Sequence, residues 1–204
     1  MGEMSRRAGA ARERVLAVAL KLFARHGVAG TSLQMIADEL GVTKAAVYHQ
    51  FQSKEDIVWA VIAPALDELT RVAEAAEARK RRSDQLGAVL SGVVDLVVSH
   101  RRLTAVIRTD PTISALMRER PALRALEARI DRVITGPDPD TETVVSAAMV
   151  SSALLAVGMD PRLDGLDDET LRRHLLGIAR RLLRLRPLPR SRPGGVPGRD
   201  AHPA

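Results

Sequence analysis

The sequence predicts an all-α protein, and three observations carry that prediction. Apolar residues recur at helical spacing over nearly the whole chain, and no segment shows the alternation of a half-buried strand. The periodic runs are separated by Asp110-Pro111, Pro121, Gly136-Pro137-Asp138-Pro139 and the 158–166 loop, which punctuate helices. At 204 residues, 46% of them hydrophobic, the chain has room for one or two domains with a real core.

Residues 11–26 carry an apolar stripe at Val15, Leu16, Ala19, Leu20, Leu22 and Phe23. They form the first helix, which stops at Gly27, a residue able to take the left-handed cap conformation. Thr31 with Gln34 makes a capping box ahead of Leu33, Ile36, Ala37 and Leu40, so a short second helix spans 33–40 and ends at Gly41. Val42 is expected in a buried turn. Thr43 caps a third helix running to Phe51, with Val47 and Phe51 facing inward one turn apart. Ser53 with Asp56 repeats the capping pattern and opens a longer fourth helix toward Arg82. Pro64 must kink that helix or begin a new one, because proline lacks the amide hydrogen and crowds the preceding turn. The run Arg79-Lys80-Arg81-Arg82 places cations near a helix end, where they complement its dipole. Further helices are expected over 84–101, 103–108, 113–118, 122–134, 141–157 and 168–186. Residues 187–204, rich in Pro, Gly and Arg, read as a disordered tail.

Composition narrows the function classes. With no cysteine there is no disulfide framework, zinc-thiolate site or thiol nucleophile. The five histidines show no metal-ligand spacing, and no phosphate loop, nucleophile elbow or dinucleotide fingerprint follows a strand. No catalysis, metal or cofactor is therefore expected. No apolar run approaches the ~18 residues of a membrane span, and the first residues lead into a charged amphipathic segment rather than an apolar leader, so the expectation is a soluble cytoplasmic protein without a membrane partner. The net charge of +6 spreads evenly: 8 basic against 6 acidic residues in 1–60, 20 against 18 in 61–186, and 3 against 1 in 187–204. It locates no anion-binding face.

Side-chain placement does better. The two short helices joined by Gly41-Val42 have the dimensions of a helix-turn-helix, whose second helix enters the DNA major groove. Ile36, Ala37, Val42, Val47 and Phe51 would pack against Leu20 and Phe23. Thr43, Lys44, Ala46, Tyr48 and His49 are then left facing outward, mostly groups that reach phosphates or base edges.

The stretch 31–56 also resembles the DNA-binding signature of the TetR family of bacterial transcriptional regulators. The resemblance lies in Thr31-Ser32, Ile36-Ala37, Gly41-Val42-Thr43, Val47-Tyr48-His49 with Phe51, and Ser53-Lys54-Glu55. It implies an N-terminal three-helix DNA-binding domain over 1–56, with a basic arm at Arg6, Arg7, Arg12 and Arg14. A larger helical effector-binding and dimerisation domain would follow over 57–186. By the same resemblance, Thr31 and Ser32 would hold the DNA backbone, and Thr43, Lys44, Ala45 and Ala46 would face the major groove. Tyr48 and His49 would reach phosphate or a base near the edge of the half-site, and Lys54 would pin a further phosphate. The family often has Gly or Pro in place of Ala45 and Ser or Thr in place of Ala46. With alanine at both, a thymine methyl is the expected contact rather than a hydrogen bond.

The resemblance further implies a homodimer on a palindromic double-stranded DNA operator and a small-molecule effector. All four aromatics, Phe23, Tyr48, Phe51 and Trp59, lie early, so an effector pocket beyond Ala60 has no rings to stack on. It would be lined by Val93, Leu96, Val97, Ile107, Leu116, Met117 and Met149, with Met159 as a further filler. Asp95, His100, Thr104 and Asp110 lie near that set but are expected at the surface. Ala147, Ser151, Leu154 and Leu155 on one C-terminal helix, with Leu171, Leu175, Ile178 and Leu182 on the other, would form the dimer interface, core packing being their alternative reading. A repressor released by an apolar effector is the favoured function. A ligand-independent regulator or an activator of the same fold, or a membrane-surface or scaffold protein using its arginines, are the alternatives.

Overall fold

Ten α-helices and one short 3-10 turn make up the computed structural model, which describes residues 2–157 and 160–185; no strand occurs among them. Met159, Arg186 and the tail 187–204 lie outside the described residues.

The helix α1 (Gly2–Gly30) starts well before residue 11, so Arg6, Arg7, Arg12 and Arg14 sit on a helix rather than a free arm. Gly27 does not stop it cleanly. It bends the chain, with φ 69 and ψ 167, and a last turn follows to Gly30. The helices α2 (Leu33–Leu40) and α3 (Lys44–Gln50) fall where the sequence placed them. Ser32, not Thr31, caps α2, its side chain accepting from the Met35 amide at 3.1 Å. Val42 is 42% exposed rather than buried, because the turn is held through its backbone: the Val42 amide donates to the Ala37 carbonyl at 3.0 Å, closing the helix end and leaving the side chain outside.

A single helix, α4 (Lys54–Glu77), opens on the expected Ser53–Asp56 capping box and runs through Pro64, which therefore begins no new helix. Then come α5 (Arg82–Ser99), α6 (Arg101–Thr109), α7 (Pro111–Arg118) and α8 (Pro121–Thr135). The last two are α9 (Thr141–Val157) and α10 (Asp168–Leu182). The helix α10 ends short of 186 because Arg184 takes a left-handed φ of 54 and the Leu185 amide turns back to the Arg180 carbonyl at 2.8 Å.

Burial organises these helices into three clusters. In the first, Val15, Ala19, Phe23, Ile36, Val47 and Phe51 of the N-terminal unit pack with Ile57, Val58 and Ile62 of α4. Leu103, Val106 and Ile113 of α6 and α7 complete it, so packing is continuous across residue 56. The second joins α5 to α9 and α10 through Leu90, Val94, Val97, Leu154, Leu171 and Leu176. The third joins the end of α4 to α5, α8 and α9 through Ala76, Val89, Val133 and Ala147. Between α4 and α5 the approach is so close that a Cβ at Gly92 would intrude on both Val72 methyls, 2.7 Å from Cγ1. Only glycine fits that crossing.

Candidate nucleic-acid interface

Val47 on α3 is fully buried and Phe51 caps the helix end from inside the core, which fixes the rotation of α3. Residues 43–46, Tyr48 and His49 consequently all face out. Thr43 caps α3, accepting from the Ala46 amide at 3.2 Å. Ala45 and Ala46 give this surface its lowest relief, so a partner can come close to the α3 backbone. Lys44 lies over the Tyr48 ring, 5.6 Å from its centroid, a one-turn cation–π pair that holds two donors on one side of the helix.

The carboxylates beside this face are engaged elsewhere. Glu39 on α2 pairs with Lys21 of α1, and that hydrogen bond holds its carboxyl below the usual range. Asp38 accepts from Gln34 at 2.7 Å. The Glu39 charge is therefore compensated, while Asp38, held by a neutral amide, keeps its charge.

Two residues expected at the DNA backbone sit otherwise. Thr31 is buried, 2% exposed, and its hydroxyl donates to the Gly27 carbonyl at 2.8 Å; the bend at Gly27 turns that carbonyl toward it, and the neighbouring Ser32 takes the surface and the cap. Lys54 is half-buried, and its ammonium donates to the carbonyls of Val28 at 2.7 Å, Thr31 at 3.0 Å and Ala29 at 3.4 Å. An ammonium has three donors, and all three serve the turn between α1 and α2. Lys54 is thus a tie between the start of α4 and the turn joining α1 to α2.

The seven expected effector residues are not brought together. Val97 is buried and Val93 half-buried in the cores of the body, while Ile107, Leu116 and Met117 pack toward the N-terminal cluster. Leu96 is half-buried, and Met149 is 56% exposed on the outer side of α9. Two surface clefts are lined by other residues. One, of about 250 Å³, lies among Arg82, Leu86, Ile134, Glu142, Leu182 and Arg184. The other, of about 450 Å³, lies where α1, α3, α4 and α8 meet, and there the rings of Phe51 and Trp59 are covered by Arg12 and Arg120, 4.7 and 3.8 Å from their centroids. Rings do line a cleft, at the junction of the two halves rather than inside the body.

Of the four polar residues expected at the surface, Asp95 and His100 stay partly exposed and paired, while Thr104 and Asp110 are buried. Asp95 pairs with Arg172, and His100 Nε2 lies 3.1 Å from Glu68.

Of the eight expected interface residues, Ala147, Leu154 and Leu171 are buried in the chain's own core, and Leu175 packs at its edge. Ser151, Leu155, Ile178 and Leu182 are exposed. Val144, Val145 and Met149, absent from that set, join them to form an apolar stripe over α9 and α10. Helix α9 is apolar or small on every side, so its sequence offered no signal as to which side faces out.

Residues 15–61 match the family model described as bacterial regulatory proteins, tetR family. The chain is 48% identical over 46 residues to the HTH-type transcriptional regulator AcrR of Shigella flexneri, covering 22% of this chain and 21% of that one. It is 38% identical over 58 residues to the HTH-type transcriptional repressor KstR2 of Rhodococcus jostii, covering 28% of each. The matched segment thus spans 21% and 28% of the length of these curated relatives. Among solved structures, a TetR/AcrR-family regulator from Thermobifida fusca shares 26% identity at a TM-score of 0.56, over 84% of this chain and 96% of that one. The ketosteroid regulator KstR2 of Mycobacterium tuberculosis aligns at a TM-score of 0.65 with 18% identity, over 82% and 92% of the two chains. That second likeness is one of fold.

Proposed function

We propose, from the premise that the chain belongs to the TetR family of bacterial regulatory proteins, that it is a homodimeric repressor reading a palindromic DNA operator with α3. The observation that carries this reading is the outward set Thr43, Lys44, Ala45, Ala46, Tyr48 and His49 on a helix locked in rotation by buried Val47 and Phe51. A small-sided, cation-bearing helix of this kind fits a major groove, its alanines approaching base edges while Lys44 and Tyr48 reach phosphates. Ser32, exposed at the start of α2, would meet the DNA backbone beside it.

The apolar stripe of Val144, Val145, Met149, Leu155, Ile178 and Leu182 supports pairing with a second copy. An apolar face of this extent is costly to leave in water, and twofold pairing would present two reading helices to two half-sites. Release by a small apolar effector is the favoured regulation. A ligand-independent regulator is the second reading, favoured by the scatter of the seven expected effector residues over separate cores.

The test is to footprint the purified protein on DNA flanking its own gene and titrate the protected fragment against salt. Lys44→Ala is expected to weaken binding and to lower the salt slope by about one. Tyr48→Ala weakens it too. If both variants bind as the unaltered chain does, α3 is not the reading helix.

A further inference from the structure

Three helices meet at one buried carboxylate. The amide of Asp110 ends α6 by donating to the Val106 carbonyl at 3.0 Å. Its Oδ1 begins α7 by accepting from the amides of Thr112 at 2.8 Å and Ile113 at 3.2 Å. Its Oδ2 accepts from the amide of Val28 in α1, 82 residues away in sequence. The carboxylate comes this close because residue 27 is glycine: a Cβ there would stand 3.2 Å from Oδ2, and the φ of 69 suits glycine.

Residue Val28 is gripped on both sides. Its amide goes to the Asp110 carboxylate and its carbonyl to the Lys54 ammonium. The body and α4 thus hold the same residue, four places before Ser32 and the start of α2. Both contacts are charge-assisted and therefore strong.

We infer that Asp110 is a positioning residue, the joint through which the α6–α7 corner of the body fixes the turn leading into the reading helices. Among the described residues no other hydrogen bond ties α6 or α7 to α1, so a displacement of that corner is transmitted to Val28 directionally, through a bond rather than through apolar packing alone. The consequence for operator binding rests on the DNA reading proposed above; the joint itself does not.

Asp110→Asn separates the two jobs of the side chain. The amide oxygen keeps the cap of α7, while the NH2 group faces the Val28 amide, donor against donor. Asp110→Ser is the second variant, retaining a capping oxygen but lacking the one that reaches Val28. Hydrogen exchange is measured by mass spectrometry on the full chain without DNA. Both variants are expected to raise exchange over residues 27–33 about tenfold, the scale of one charge-assisted hydrogen bond, while α5 and α10 keep their protection. Unchanged exchange over 27–33 overturns the inference. So does a uniform rise through α5 and α10, which makes Asp110 a general structural contact. On the footprinted fragment the variants bind more weakly than the unaltered chain. If footprinting finds no operator, the DNA reading fails while the exchange result still decides the joint.

Discussion

The N-terminal unit and the α9–α10 pair bury their sides in the same way and expose opposite kinds of surface. Helix α3 hides Val47 and Phe51 and shows hydroxyls, alanines, a lysine, a tyrosine and a histidine. Helices α9 and α10 hide Ala147, Val150, Leu154 and Leu171 and still show Val144, Val145, Met149, Leu155, Ile178 and Leu182. A buried face says that a helix belongs to the fold. The outward face is where the two regions differ, polar and small on α3 and apolar on α9 and α10.

The comparison can be broken most forcefully with one substitution made in both regions. Ile36→Ala, at a position with no exposure, is expected to cost about 2–5 kcal/mol in urea denaturation. Ile178→Ala, 47% exposed, is expected to change stability by less than about 0.5 kcal/mol at dilutions where the chain is monomeric, and to weaken self-association in sedimentation. Equal costs at the two sites would erase the distinction. A smaller effect sharpens the account of Lys54: Lys54→Met removes three donors from the carbonyls of Val28, Ala29 and Thr31 and lowers stability by about 2 kcal/mol, read as a fall in Tm. Ser53→Ala, which loses half of a capping box, costs about 1 kcal/mol.

The last effect is absent at neutral pH. Burial pushes the Asp110 carboxyl up, but the amides of Val28, Ile113 and Thr112 outweigh it and hold the group below its ordinary value of 3.8. A carboxyl held down in the folded state contributes stability above its unfolded value, and that contribution is lost as pH falls through the folded one. Acid titration of stability from pH 5 downward is therefore expected to show a steeper loss in the unaltered chain than in Asp110→Asn. Parallel curves would remove Asp110 from the acid response.

What the sequence disclosed follows the range of the forces involved. The bounds of α2 and α9, the Thr43 cap and the Ser53–Asp56 box rest on neighbours within four residues and were legible. Thr31 and Ser32 were not distinguishable, since adjacent hydroxyls cap equally well; the bend at Gly27 decides which one turns inward. Asp110 before Pro111 has the pattern of a surface cap, and only the packing of α1 against the α6–α7 corner buries it. The expected effector positions are scattered for the same reason. Val97 and Leu116 share an apolar character and a helical register, yet they belong to different cores.

The crossing at Gly92 has a mechanical consequence for α4. With Val72 seated against the α5 backbone, the C-terminal part of α4 has no room to shift, so any tilt of the helix would pivot there. From Val72 to Lys54 the arm is about 27 Å long at about 1.5 Å per residue. A tilt of about 5° about that pivot would swing Lys54, and the carbonyls tied to it, through about 2 Å. Partway along the arm, Pro64 leaves the Ala60 carbonyl without its amide partner, which makes a compliant section between the pinned end and the end that joins α3.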